Sequence, residues 1–204
     1  MLETVVATAA GTLVGALAAF LLEAHRRKNE REEIQRSKLL HAQFILAQKL
    51  NSITNLKNLL DQTPQHANPI EVPQMYYKTI DDVLSSRDLE PLIDSHWADQ
   101  AAEILRCDRQ YADAVECLSQ FNQQKDRIEN HPNTKFTKMS VENAKGEAYV
   151  DAVLVVDLDR KFKNLRDSVD RAHRKLPEAL ASLKAFMQGI YRGKRTISVT
   201  PKKT

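Results

Sequence analysis

The longest uncharged run in the chain stands near its start. Thr4 to Leu22 holds 19 residues without a charge, bounded by Glu3 and Glu23. As a helix it would span about 28 Å, close to the thickness of a bilayer's hydrocarbon core. The pattern then changes. Residues 25 to 38 are nearly all polar and cannot bury a face. From Leu39 on, Leu39, Leu46, Ile53 and Leu60 recur seven apart, with Ala42, Leu50 and Leu56 in the turns between. That spacing predicts an amphipathic helix with a heptad seam, continuous with the helix before it because no Pro or Gly intervenes between Ala24 and Gln62.

Pro64, Pro69 and Pro73 mark residues 63 to 74 as a loop. Met75 to Leu84 predicts a short helix, ended by Ser85-Ser86. Residues 88 to 129 predict a long helix, with Trp97, Ile104, Tyr111 and Leu118 seven apart and Ile93, Ala101 and Val115 between them; Asp108 interrupts the apolar stripe. Asn130-His131-Pro132-Asn133 predicts a turn. Ser140 can cap the next helix, with Glu142 in its first turn. That helix carries Ala148, Val155, Phe162, Val169 and Leu176, again seven apart, with Ala152, Leu158, Leu165 and Ala172 completing the seam. Pro177 predicts a kink or a new helix start, with Leu180, Leu183, Met187 and Ile190 as the apolar face beyond it.

The expectation is an all-α chain. It divides into an N-terminal transmembrane helix over residues 1–23, a polar stalk over 24–38, a long-helix antiparallel bundle over 39–190 (four or five helices, one of them short), and a basic disordered tail over 191–204. A coiled-coil assembly that completes its core between chains is the alternative. A total of 5 Gly and 7 Pro in 204 residues fits long helices better than a turn-rich β fold.

Charge refines the picture. A signal peptide carries positive charge before its apolar run, and Ala16-Leu17-Ala18 could pass as a cleavage motif. Here the positive residues Arg26, Arg27, Lys28 and Arg31 follow the run, so a retained anchor is the better reading. Juxtamembrane Lys and Arg stay on the cytoplasmic side, which puts the N-terminus outside and the bundle in the cytoplasm. The layout resembles that of bacterial inner-membrane proteins with a small-residue-rich N-terminal helix and an Arg-rich junction. Beyond the stalk, residues 63–130 carry 6 basic and 13 acidic residues, and residues 131–204 carry 16 basic and 8 acidic. Complementary helices within one bundle account for that split. Arg192, Lys194, Arg195, Lys202 and Lys203 form a basic tail able to meet anionic lipid or nucleic acid without sequence preference.

Ala7, Gly11, Gly15 and Ala19 recur every fourth residue. In lipid, close approach over such small residues replaces the hydrophobic drive for helix pairing, so this stripe predicts self-association, with Thr8 and Thr12 flanking it. Cys107 and Cys117 would lie about 15 Å apart on one helix, too far for a disulfide, and fit a reducing compartment.

Catalytic motifs do not emerge. Gly189 to Thr196 has the wrong spacing for a phosphate-binding loop and precedes no helix. Asp157 and Asp159 would point about 200° apart on a helix, and Asp170 with His173 is a lone pair of possible ligands. No cofactor, metal or enzymatic activity is expected. The functional expectation is a membrane-anchored scaffold or adaptor that self-associates and binds a cytoplasmic protein. The alternatives are an oligomeric pore-forming effector and a protein that binds nucleic acid or anionic lipid through its basic C-terminal region.

Overall fold

The structure is a computed structural model that describes residues 2–63, 68–76, 79–130 and 152–191, with side chains from Gly15 on in the first segment and from Val153 on in the last. Four helices are described: α1 (Leu2–Asp61), α2 (Glu90–Ile93), α3 (Ala98–Glu129) and α4 (Ala152–Ile190). The all-α expectation holds. The expected number of helices, four or five, agrees with the four described, one of which is a single turn of four residues.

α1 runs 60 residues without a break, about 90 Å by helical rise. Its heptad seam enters the core as predicted: Leu39, Ala42, Leu46, Ile53, Leu56 and Leu60 are all buried. α1 carries no basic residue in its last turn, and α4 supplies one. The Arg166 guanidinium donates to the carbonyls of Leu60 at 3.1 Å and Thr63 at 2.6 Å, satisfying acceptors that a helix C-terminus leaves open and complementing its dipole.

α4 lies between α1 and α3 and runs antiparallel to both. Lys57 meets Asp170 while Tyr191 sits near Glu32 and Arg36. On the other side Trp97 packs edge-on against Phe186, and Phe121 packs against Phe162 with ring centroids 5.4 Å apart. Leu158, Phe162, Leu165, Val169, Ala172 and Leu176 form the predicted seam. No new helix starts at Pro177, which lies inside α4. Pro177 is exposed, so the one backbone bond it cannot make lies on the solvent side, while buried Leu176, Ala179 and Leu180 hold the helix on course. Ile190, predicted on the apolar face, is exposed. The predicted start of this helix at Ser140 lies outside the described residues.

α1 and α3 run parallel, so the chain must travel back along the bundle between them. It does so through residues 68–76 and 79–89 as a non-helical strap, and the helix predicted over Met75–Leu84 is absent from its described residues. The cause is competition for backbone groups. Side chains of α3 take them one after another. Lys125 Nζ donates to the Ile70 carbonyl. The Asn122 amide both accepts from Met75 N–H at 3.1 Å and donates to Met75 C=O at 2.9 Å. Tyr111 Oη accepts from Ile80 N–H at 3.0 Å, and Asp108 accepts from Leu84 N–H at 3.3 Å. Buried Val72, Met75, Leu84 and Leu89 anchor the strap apolarly. The predicted helix 88–129 is split accordingly. Ser85 N–H and Oγ both donate to Asp88. α2 follows, and a Ser95 turn separates it from α3.

Candidate functional site

Two regions carry groups that packing alone does not require: the free end of α1 and the polar seam beneath the strap.

From Gly15 to Arg31 every residue of α1 is exposed, and the helix joins the bundle only near Glu32. Leu17, Phe20, Leu21 and Leu22 are 59% to 75% exposed, an apolar stretch that no other described residue covers. Gly15 is open too, since an added Cβ there would meet nothing within 4 Å. Ala19 is exposed beside it, whereas the side-chain positions of Ala7 and Gly11 lie outside the described residues. Among the described residues no helix is long and apolar enough to cross a membrane. Most of the predicted span, with Thr8 and Thr12, falls on residues whose side chains are not described. The basic cluster stands just beyond the apolar stretch. Arg27 pairs with Glu23 at 2.9 Å and Arg26 with Glu30 at 3.1 Å, both along the helix, and all four side chains are exposed. Lys28 and Arg31 are exposed as well. Tail residues Arg192, Lys194, Arg195, Lys202 and Lys203 lie outside the described residues.

The polar seam was not predicted as a unit. Lys49, in the apolar register of α1, donates to Asp108 of α3 at 2.6 Å, with side-chain exposures of only 3% and 8%. Its ammonium also lies 5.2 Å from the centre of the Tyr111 ring. Ser52 Oγ and Tyr111 Oη are 2.9 Å apart. Thus one carboxylate joins α1 to the strap, and one phenol does the same a turn later. A buried ion pair of this kind needs its remaining lone pairs met, and the Leu84 N–H meets one. Asp108 was legible as an interruption of an apolar stripe; the matching signal was Lys49, set between Leu46 and Ile53.

Above the seam an open cleft of about 470 Å³ runs between strap and α3, lined on the strap side by Ile80, Val83 and Leu84 and on the helix side by Leu105, Ala112 and Val115. Its polar floor is already engaged, because Lys49, Asp108 and Tyr111 all hold partners within the chain. The arrangement fastens the strap to α1 and α3.

Other candidate groups are also engaged. Asp170 receives Lys57 at 2.7 Å. Asp157 pairs with Arg160 and Lys161, and Asp159 with Lys163. Cys107 is buried, and burial pushes its thiol up to about 11. Cys117 Sγ lies 3.5 Å from Ser168 Oγ. Among the described residues no group of three or more His, Cys, Asp or Glu side chains could hold a metal ion. No protein-family model, curated protein or solved structure matches the chain.

Proposed function

We propose that this chain is a membrane-tethered helical adaptor. Residues 4–22 insert into the bilayer, residues 24–38 form the stalk, and the bundle stands in the cytoplasm, where it meets a protein partner. The observation that carries the reading is the exposed run Leu17, Phe20, Leu21 and Leu22, on the same unbroken helix whose other half builds the core. Four large apolar side chains left in water on one turn and a half of helix require a nonaqueous or protein environment. The adjoining cluster of Arg26, Arg27, Lys28 and Arg31 suits the phosphate level of a cytoplasmic leaflet. Helix pairing over Ala7, Gly11, Gly15 and Ala19 belongs to the same reading. The engaged floor of the cleft supports a binding role over a catalytic one.

Fractionation tests the anchor. The full chain should stay with membranes through an alkaline carbonate wash, and Phe20→Glu with Leu21→Glu should release it with an unchanged melting temperature. A reporter fused after Thr204 should read cytoplasmic. Recovery of the unaltered chain in the soluble fraction would end the reading.

A further inference from the structure

The two ends of the bundle differ in their distance from the anchor and in the charge of the chain that leaves them. Because α4 runs antiparallel to α1, its last residue returns to the stalk. Tyr191 is buried there, near Glu32 and Arg36, and its N–H donates to the Met187 carbonyl. Buried Phe186 meets Trp97 just before α3 begins, so the end of α4 is held at this level from both sides. Glu32 lies ten residues past Leu22, about 15 Å by helical rise. At the opposite end Arg166 meets the Leu60 carbonyl, about 57 Å from Leu22 on the same measure. The segment after Tyr191, residues 192–204, holds Arg192, Lys194, Arg195, Lys202 and Lys203 and no Asp or Glu. The segment at the far end, residues 131–151, sets Lys135, Lys138 and Lys145 against Glu142, Glu147 and Asp151, a net charge of zero. Carboxylates on and beside the stalk already hold partners: Glu23 with Arg27, Glu30 with Arg26, and Glu90 with Lys38.

From this we infer that the chain after Tyr191 is a second membrane contact, whose five basic residues bind the anionic headgroups of the leaflet that α1 enters; the geometry rests on the anchor proposed above. The headgroup layer reaches about 5–8 Å beyond the hydrocarbon core, so the segment begins within about 10 Å of it. That gap is close to the Debye length at physiological salt, ~8 Å, and the attraction is therefore felt from the first residue. A stretch of this length spans up to about 43 Å when extended, enough to bring all five charges to the surface. Attraction of Lys and Arg to anionic lipid adds residue by residue and needs no fixed side-chain geometry. Nucleic-acid phosphates would attract the same residues. The lipid, however, is already within reach and acts at a high effective concentration. Anchor and tail then hold α1 and α4 to the bilayer by the same end of the bundle, and the end with the neutral segment faces away from it.

Cosedimentation with lipid vesicles tests this apart from the anchor, using the full chain with Phe20→Glu and Leu21→Glu. Vesicles of phosphatidylcholine with ~25% phosphatidylglycerol should bind it on the order of a hundredfold more tightly than phosphatidylcholine alone. Raising salt from about 0.05 to 0.5 M should remove most of that preference. Changing Arg192, Lys194, Arg195, Lys202 and Lys203 together to Gln should abolish it, and Lys135→Gln with Lys138→Gln and Lys145→Gln should leave it intact. Melting temperatures read alongside establish that each variant is folded. Loss of the preference in the tail variant alone supports the inference. A preference that survives in the tail variant overturns it and assigns the lipid contact to the stalk arginines. Equal binding to the two vesicle types overturns it as well, and so does tail-dependent binding of a short DNA duplex that anionic vesicles fail to displace. The carbonate wash of the unaltered chain judges the anchor separately. Should that chain prove soluble, the anchor falls, and the same vesicle assay on the unaltered chain still decides whether the tail binds anionic lipid.

Discussion

The two halves of α1 are made of the same backbone hydrogen bonds and differ in what their side chains touch. Residues 39–60 give up Leu39, Ala42, Ile45, Leu46, Ile53 and Leu56 to a core shared with α3 and α4. Residues 15–31 are all exposed among the described residues, yet the helix continues through them. Helical continuity in the free half comes from the absence of Pro between Leu2 and Asp61, from few residues of poor propensity, and from growth off a nucleus the bundle has already formed. Stability and secondary structure are therefore separable in this molecule. A substitution in one half should unfold the domain, whereas in the other it should alter only local order or association.

The sharpest separation comes from truncating a buried ring. Phe162 packs on Phe121 and beneath the Arg166 guanidinium that caps α1. Phe162→Ala should destabilise the domain by ~3–5 kcal/mol, as large core truncations do. Leu21→Ala in the free half should change domain stability by less than ~0.5 kcal/mol, the range of exposed substitutions. Urea melts of the full chain in detergent measure both. Equal effects would mean that the free half packs against the bundle after all.

A similar loss is expected at the polar seam. Asp108→Ala strands the Lys49 ammonium in the core and removes the acceptor of Leu84 N–H, and it should cost ~3–5 kcal/mol. Lys49→Met combined with Asp108→Leu should recover most of that, because an apolar pair of similar volume escapes the desolvation that an ion pair must overcome. Failure of the double substitution to rescue the melting temperature would show that the strap depends on the Leu84 link more than on the ion pair.

The seams of α1, α3 and α4 were legible because heptad spacing survives any choice of neighbour. Leu39, Ile104, Phe162 and their partners are buried where periodicity put them. The strap was not legible. Its sequence carries Met75, Ile80, Val83 and Leu84 at spacings a helix would accept, and only the arrival of Asn122, Tyr111 and Asp108 from a distant helix settles its backbone in a non-helical course. Periodicity could not weigh long-range side-chain partners against local helical bonds. Pro177 fell to a similar effect, since burial on both flanks keeps α4 continuous. The stripe at Ala7 and Gly11 and the tail from Arg192 rest on pattern alone.

A smaller effect belongs to the foot of the strap, where it returns to α1. Burial pushes the Asp88 carboxyl up, but hydrogen bonds from Ser85 Oγ and N–H and from His41 outweigh it and bring it below the ordinary aspartate value of 3.8. The hydrogen bond and charge of Lys38 likewise hold Glu90 below 4.5. A carboxyl lowered in the folded state contributes stability that is present above its unfolded value and lost as pH falls through the folded one. The melting temperature should therefore drop as pH falls below about 4. Asp88→Asn should cost about 1 kcal/mol or less at neutral pH and make the acid limb shallower. An acid limb that Asp88→Asn leaves unchanged would assign it to other carboxylates.

The smallest effect tests whether the free half of α1 is stabilised locally at all. Its ion pairs differ in order along the helix: Glu23 precedes Arg27, whereas Arg26 precedes Glu30. An acid placed four residues before a base aligns with the helix dipole, and the reverse order opposes it. Arg27→Gln should therefore speed amide hydrogen exchange over residues 24–31 by about twofold, and Arg26→Gln by less. Neither should touch exchange in residues 42–58, where opening requires disruption of the core. The measurement belongs in detergent without anionic lipid, because a charged headgroup would compete for the same guanidinium groups. If both substitutions slow nothing and speed nothing, the free half is held by contacts outside its own helix.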